Sequence, residues 1–220
     1  MRVRVKICCI RSREEASMAV AAGADALGLV GPMPSGPGTI AVAEAAAIAA
    51  SIPPPVAAVF LSAATELPVL EAQLARVRPA AVQLVATCTP SLRAALKRTF
   101  PGLRIIQVLH VTGPESLDEA EKACRNSDAL LLDSGRPGED PPRLGGTGEP
   151  HDWRIARRIR DRVSLPVFLA GGLRPENVAA AIAAVRPFAV DVCSGVRRDG
   201  GLDRHRLCAF LAAAGDAPPA

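Results

Sequence analysis

The sequence predicts an α/β fold, a single (β/α)8 (TIM) barrel of the phosphate-binding type. Eight apolar, strand-like runs alternate with eight helical runs, many of them alanine-rich, along the 220 residues. The strand candidates are continuously apolar, as expected of parallel strands that are covered on both faces. The third observation is the segment 166–195, where two consecutive βα units each end their strand in small residues, Ala-Gly-Gly and Cys-Ser-Gly.

The predicted elements follow one another without a gap long enough for a second domain. We predict strands at 3–8, 26–30, 56–61, 81–85, 104–109, 129–133, 167–170 and 189–193. We predict helices at 14–22, 41–50, 66–76, 91–97, 116–125, 153–162, 175–185 and 203–213. Pro175 with Glu176 behind it marks one helix start by its chemistry. One barrel domain is therefore expected over 1–214, with a frayed tail at 215–220.

Composition narrows the class of protein. Hydrophobic residues make up 49% of the chain and aromatic residues only 3%, so Ala, Val, Leu and Ile must fill the core. The net charge of +4 is spread along the chain without a basic block, which argues against a nucleic-acid partner. No apolar run approaches the ~18 residues that span a bilayer, and the charged start does not resemble a signal peptide. The six cysteines form no C-x-x-C pattern, so we expect reduced thiols, a cytoplasmic location and no metal site.

Two glycine-bearing strand ends predict an anion site. Gly171 and Gly172 follow the seventh predicted strand, and Ser194 and Gly195 follow the eighth. Paired loops of this kind hold phosphate through backbone amides at the C-terminal face of a barrel, although each could also be a simple turn. We therefore expect phosphate or sulfate between 171–173 and 193–196. The one long loop, 134–152, contains Gly146 and Gly148 in a glycine run that is either flexible linker or part of an anion-binding lid.

Polar residues at strand ends are the candidates for chemistry, because these ends form the mouth of a barrel. They are Cys8, Gln83, Asp133 and Ser194. Cys8 is either a small buried hydrophobic residue or a base. Asp133 ends the apolar run DALLLD, a costly place for an ionisable group unless it is paired or functional. A thiolate and a carboxyl group in one pocket would supply a base and an acid for proton transfer at adjacent carbons.

Lys6 and the histidines complete the candidate set. Lys6 is two residues from Cys8 and so shares its strand face, where its ammonium would favour the thiolate. The alternative is a surface lysine at the bottom of the barrel. His110 ends the fifth strand and could reach the mouth, His151 lies beside the glycine run and His205 in the last helix. None has a partner at metal-ligand spacing, so we expect structural roles for all three.

Seven stretches, in order along nearly the whole chain, resemble one enzyme family. They are VKICCI, AVAAGADALGLV, AAVQL, LLLDS, GGTGEPHDW, PVFLAGGLRPENV and VDVCSGV. The family is phosphoribosylanthranilate isomerase, the barrel enzyme of tryptophan biosynthesis. The resemblance implies a cytoplasmic aldose–ketose isomerase that needs no cofactor and takes a small phosphorylated sugar. Its reaction is the Amadori rearrangement of N-(5-phosphoribosyl)anthranilate to 1-(2-carboxyphenylamino)-1-deoxyribulose 5-phosphate.

The same resemblance implies roles for individual residues. Cys8 is the general base at ribose C2, and Asp133 is the general acid at the ring oxygen. Gly172, Ser194 and Gly195 lie on the phosphate, and the run containing Gly146 and Gly148 lies beside it. These assignments agree with the positions at which strand ends and glycines place the candidates above.

The chain departs from the family pattern at the end that would hold anthranilate. Gly38 stands where the family has arginine, Val85 where it has histidine, Cys9 where it has glycine, and Arg197 where it has glutamate. A lost charge-assisted contact to a carboxylate costs about 1.5–3 kcal/mol, or roughly tenfold to a hundredfold in binding. The glycines expected to bind phosphate and the Cys8–Asp133 pair match the family pattern.

These departures leave several possibilities open. A replacement guanidinium would come from Arg143 or its loop neighbour Arg136, or from Arg197; with none of them, Gly38→Arg should raise activity if the loop accommodates it. One alternative function is isomerisation of another phosphoribosyl amine. A second is a catalytically silent barrel that binds a phosphometabolite or a partner protein. A homodimer is compatible with the sequence.

Overall fold

The computed structural model describes residues 2–34, 36–135 and 151–217. Eight parallel strands form a closed barrel in sequence order: β1 (Arg4–Ile7), β2 (Ala26–Val30), β3 (Ala57–Ser62), β4 (Ala81–Leu84), β5 (Arg104–His110), β6 (Ala129–Asp133), β7 (Val167–Leu169) and β8 (Ala189–Val192). A helix follows each strand: α1 (Arg13–Ala21), α2 (Val42–Ala49), α3 (Leu67–Val77), α4 (Pro90–Thr99), α5 (Ser116–Cys124), α6 (Trp153–Arg162), α7 (Val178–Val185) and α8 (Arg204–Gly215). The predicted (β/α)8 fold is confirmed.

Alternation along the strands separates two buried clusters. The outer cluster joins the barrel to the helices and includes Leu27, Leu130 and Phe210. The inner cluster contains only residues of the strands and their ends, such as Val59, Val108 and Leu131, and therefore fills the barrel interior. Side chains in phase with the inner cluster point into the barrel. This rule places five polar side chains inside, those of Lys6, Gln83, His110, Asp133 and Asp191.

Most predicted boundaries lie within two residues of the observed ones, and the larger difference has a local cause. The helix predicted from 175 begins at Val178. Asn177 shapes the turn before it, because its Oδ1 accepts from the Arg174 N–H at 2.8 Å and its Nδ2 donates to the Gly172 carbonyl at 2.9 Å. The side chain therefore braces the loop after β7 rather than continuing the helix.

A short hairpin between β8 and α8 was not predicted. A single 3-10 turn (Ser194–Val196) leads into β9 (Arg197–Arg198), which pairs antiparallel with β10 (Gly201–Leu202). Asp199 and Gly200 form its two-residue connection with φ values of 50° and 80°. Positive φ at both positions is what tight hairpins of this length require.

Arg93 on α4 fixes the backbone near the end of β4. Its side chain is buried and donates to the carbonyls of Arg125, Cys88 and Lys122 and to the Gln107 side chain. The Gln107 amide donates in turn to the carbonyls of Leu84 and Ala86. The segment that carries Val85 into the barrel mouth is thereby held from outside.

Several predictions fall on residues outside the described part of the chain. Gly146, Gly148, Arg143 and Arg136 all lie in 136–150, so the lid and its anion cradle remain predictions. Helix α8 extends to Gly215, one residue beyond the predicted domain boundary, and the frayed tail also stays a prediction. Among the helices of the described residues, none is long and apolar enough to cross a membrane.

Candidate active site

A buried ion pair lies at the centre of the candidate site. Lys6 on β1 and Asp191 on β8 are direct neighbours in the strand register, and Lys6 Nζ donates to Asp191 Oδ1 at 2.8 Å. The Lys6 side chain is fully buried, so a surface position at the barrel bottom is excluded. Burial opposes the charged form, but the Asp191 carboxylate and the nearby Cys8 thiol outweigh it and raise the pKa of Lys6. A permanent positive charge therefore lies beneath the mouth.

Cys8 lies directly above this charge. Its backbone N–H donates to the Val192 carbonyl at 2.8 Å, which continues the β1–β8 ladder by one residue. A Cβ placed on Gly28 of β2 would lie 2.8 Å from Cys8 Sγ and 3.1 Å from Lys6 Nζ. Glycine at position 28 thus leaves the space that the thiol and the ammonium occupy.

The neighbouring thiol of Cys9 is not a competing base. Contacts with Cys193 and then Cys8, together with burial, raise the pKa of Cys9. Cys9 lies against Gly38, whereas Cys8 Sγ and Lys6 Nζ occupy the same space beside Gly28. Of the two adjacent cysteines, Cys8 is therefore the candidate base.

Asp133 ends β6 and points into the same interior. Its Oδ1 accepts from the Ser134 backbone N–H at 2.7 Å. Burial raises the pKa of Asp133 to about 6, with a further rise from Asp191 that Ser134 and Lys6 partly offset. A carboxyl group of this kind keeps a protonated fraction near neutral pH, as a general acid requires.

The two predicted phosphate loops lie against each other. Gly171 and Gly172 adopt φ values of 85° and 61°, in the left-handed region. A Cβ on Gly195 would lie 2.0 Å from the Leu173 carbonyl oxygen, so only glycine permits this approach. A Cβ on Gly171 would lie 2.9 Å from Ser134 Oγ. Because Ser134 follows Asp133, the phosphate loops adjoin the candidate acid.

Arg197 is engaged by the protein rather than directed at a ligand. Its side chain is 9% exposed, and its guanidinium donates to both Glu15 carboxylate oxygens at 2.9 and 3.0 Å and to the carbonyls of Gly200 and Cys9. The structure therefore gives no support to the predicted substrate contact. Glu15 of α1 compensates the charge reversal at this position, and the pair ties the loop after β1 to the loop after β8.

The condition attached to Gly38→Arg, that the loop accommodates an arginine, is not met by the observed backbone. Gly38 has a φ of 76°, and a Cβ there would lie 2.6 Å from the Cβ of Cys9. Cys9 itself has a φ of 64°, unusual for a residue other than glycine. The cysteine at position 9 and the glycine at position 38 thus fit together, and an arginine at 38 would require Cys9 to move.

Gln83 lies in the barrel interior as predicted, buried, and its Oε1 has no hydrogen-bond partner among the described residues. Sequence reasoning missed two members of the site, Asp191 and Gly28. A carboxylate between two valines in β8 and a glycine within the apolar run of β2 were the available signals.

The burial of Asp133 predicts an opposite pH dependence of stability from that of an ordinary ion-paired aspartate. Its pKa is about 6 in the folded chain against 3.8 for an unperturbed aspartate, so the folded state binds the proton more tightly. Stability is therefore lost as pH rises from about 4 to 6. The free energy of unfolding of Asp133→Asn minus that of the wild type should therefore increase with pH. We expect this difference to be about 1–3 kcal/mol larger at pH 7.5 than at pH 4. Urea titrations at several pH values measure this.

Asp199→Asn is the matched control, because Asp199 is 97% exposed. The same titrations on that variant give the change that any exposed Asp→Asn substitution produces, and this change is subtracted. A gain for Asp133→Asn that is equal at both ends of the range, or a loss that grows with pH, would contradict the burial argument.

Comparison with known proteins agrees with this geometry. The family model for N-(5'phosphoribosyl)anthranilate (PRA) isomerase matches residues 5–213. The N-(5'-phosphoribosyl)anthranilate isomerase of Methanocella arvoryzae is 40% identical over 197 residues, covering 89% of this chain and 90% of the relative.

The chain is also similar to solved structures of isomerases with this name. Monomers generated from the dimeric isomerase of Thermotoga maritima superpose with a TM-score of 0.80 at 30% identity, covering 96% of this chain and 98% of that one. A phosphoribosyl anthranilate isomerase in complex with reduced 1-(o-carboxyphenylamino)-1-deoxyribulose 5-phosphate gives 0.78 at 31% identity, with the same coverage. The resemblance inferred from the sequence is confirmed: the chain belongs to the N-(5'-phosphoribosyl)anthranilate isomerase family, isomerases of tryptophan biosynthesis.

Proposed function

We propose that the chain converts N-(5-phosphoribosyl)anthranilate into 1-(2-carboxyphenylamino)-1-deoxyribulose 5-phosphate, with Cys8 as general base and Asp133 as general acid. The observation that carries the proposal is their common placement. Both face one barrel interior around the Lys6–Asp191 pair; Asp133 precedes Ser134, which lies against Gly171 after β7, and Cys8 bonds to the end of β8. Substrate is held at one end by its phosphate, and its ribose ring then lies between a base and an acid.

The proton transfers balance without an external oxidant or reductant. Asp133 gives its proton to the ring oxygen as the C1–O bond breaks, which leaves an iminium at C1. Cys8 then takes the proton from C2, and the electron pair of that C–H bond forms the enolamine. Protonation at C1 and loss of the hydroxyl proton at C2 yield the ketone. C1 is reduced and C2 is oxidised within one molecule.

The remaining residues bind and orient. The Lys6 ammonium places positive charge next to the Cys8 sulfur, which must be a thiolate to take the proton from C2. Gly171, Gly172, Ser194 and Gly195 are proposed to hold the phosphate through backbone amides. Gln83, whose Oε1 meets no partner in the described part of the chain, is proposed to contact the substrate from β4. For Gly146, Gly148 and Arg143 the proposal rests on sequence alone.

A second candidate substrate is a phosphoribosyl amine without anthranilate's carboxylate. The observation in its favour is the fit of Gly38 against Cys9, which places no guanidinium at position 38. The two candidates make the same demands on the phosphate loops and on the acid–base pair. They differ only in the group attached to the ribose nitrogen.

Location and assembly remain proposals as well. We infer a cytoplasmic protein, in keeping with six free cysteines, and one that needs no cofactor. A homodimer is proposed by analogy with the Thermotoga enzyme. Among the described residues, only Val69 and Phe188 are large exposed apolar side chains, and Phe188 already packs on Phe168 and under Arg4. Sedimentation velocity at micromolar concentration decides between monomer and dimer.

The experiment that tests the function is a direct assay. Purified protein is given N-(5-phosphoribosyl)anthranilate, and the loss of substrate and appearance of product are followed together. Growth of a tryptophan auxotroph that lacks this isomerase provides the test in cells. We expect both turnover in the assay and rescue of growth. If neither is observed, the chain does not catalyse the proposed reaction.

Removal of either proton-transfer group should abolish most turnover. Cys8→Ala and Asp133→Asn are each expected to lower kcat by about 10²–10⁴-fold, the usual contribution of general acid–base catalysis. Binding of inorganic phosphate should be unchanged, because other loops make that contact. Cys208→Ala and Asp199→Asn are matched controls on exposed positions. Near-normal kcat in either site variant would remove that residue from the mechanism.

A side chain at position 195 should separate the phosphate loops. In Gly195→Ala the new Cβ would lie 2.0 Å from the Leu173 carbonyl oxygen, and backbone cannot yield as a flexible side chain does. We expect KM for the substrate and Kd for inorganic phosphate to rise by tenfold or more, which is about 1.4 kcal/mol. Gly102→Ala is the control, because a Cβ there meets nothing within 4 Å. Equal phosphate affinity in both variants would place the phosphate elsewhere.

A further inference from the structure

His110 occupies a prominent position that the proposed chemistry does not use. It is the last residue of β5, and its Cα partner on β6 is Asp133. It is in phase with Ile106 and Val108, both members of the inner cluster. Its side chain therefore points into the barrel mouth beside the proposed acid.

The imidazole ring is buried and has no hydrogen-bond partner in the described chain. His110 is 8% exposed, and neither Nδ1 nor Nε2 makes a hydrogen bond with the described residues. Burial lowers the pKa of His110, and the Val85 backbone, which partly opposes this, lies near the ring without meeting hydrogen-bond geometry at either nitrogen. At neutral pH the ring is thus uncharged, with one N–H donor and one acceptor nitrogen. A buried polar group without a partner is costly, so an unmatched donor at a mouth points to a ligand.

The order of the strands indicates which part of the substrate reaches this ring. The phosphate loops follow β7 and β8, Asp133 ends β6, and His110 ends β5. In the ribose ring the phosphate arm is attached at C4 and the amine at C1, on opposite sides of the ring oxygen. With the ring oxygen at Asp133 and the phosphate toward β7 and β8, the amine substituent extends toward β5.

We propose that His110 binds the carboxylate of the amine substituent through a ring N–H, and so determines specificity for anthranilate. This rests on the proposed function. Among the described positions that the family resemblance places near anthranilate, Gly38 and Val85 have no side-chain donor, and the Arg197 guanidinium is engaged by Glu15. A carboxylate is the group on the anthranilate ring that accepts hydrogen bonds most strongly.

Two variants separate recognition from a structural role. His110→Leu fills similar space without polar atoms, and His110→Asn keeps an N–H donor. The probes are reduced 1-(o-carboxyphenylamino)-1-deoxyribulose 5-phosphate and the corresponding phenylamino compound without the carboxylate. Binding is measured by calorimetry, which requires no turnover. The exposed His205→Ala serves as control.

We expect His110→Leu to bind the carboxylated probe roughly 10–100-fold more weakly and the other probe with unchanged affinity. His110→Asn should keep most of the affinity. The melting temperature of His110→Leu should rise, because an unpartnered buried polar group is removed; a structural hydrogen bond would give a fall.

Equal weakening for both probes, or no weakening for either, would overturn the assignment, as would a wild type that binds neither. The proposed function is tested separately by turnover of N-(5-phosphoribosyl)anthranilate. Wild-type turnover with no effect of His110→Leu on KM or binding would overturn the His110 assignment alone. Selective binding of the carboxylated probe without turnover would contradict the function alone.

Discussion

The ion pair between Lys6 and Asp191 is the interaction on which the candidate site depends. It joins the first and last strands where the barrel closes, and both charges are buried. Removal of one partner from such a pair generally costs about 3–5 kcal/mol, because the other charge is left unmatched. The remaining features are arranged around it. Gly28 leaves room for the ammonium and the thiol, and Asp133 responds to both members of the pair.

Substitutions around the mouth are compensated by their immediate neighbours. Cys9 packs against Gly38, and Arg197 forms an ion pair with Glu15. Each pair replaces a group that the family resemblance would place near anthranilate, while the glycines proposed to bind phosphate match the family motifs. In the proposed site the departures from the family pattern therefore lie at the end that would hold the amine.

Sequence reasoning predicted the fold because periodicity is a local property. The apolar runs of β2 and β6 and the helix α6 match their predicted limits, since each is bounded by turn residues or a cap. Strand ends then placed Cys8, Gln83 and Asp133 at the mouth. Those inferences need only the chain's order and the direction in which side chains alternate.

The rest could not be predicted, because it depends on contacts between residues distant in sequence. Asp191 is 185 residues from Lys6, and Glu15 is 182 from Arg197. The Gly38–Cys9 contact decides whether an arginine can be accommodated, and the sequence holds no signal of it. His110 was placed at the mouth but interpreted as structural, since burial without a partner is visible only in three dimensions.

A crystal structure with reduced 1-(o-carboxyphenylamino)-1-deoxyribulose 5-phosphate tests the account most directly. We expect its phosphate between 171–173 and 193–196, and its C2 within about 3.5 Å of Cys8 Sγ, the approach that proton transfer requires. The oxygen that corresponds to the ribose ring oxygen should face Asp133. An analogue whose phosphate lies away from Gly172 and Gly195, or whose C2 faces away from Cys8, would contradict the proposed site.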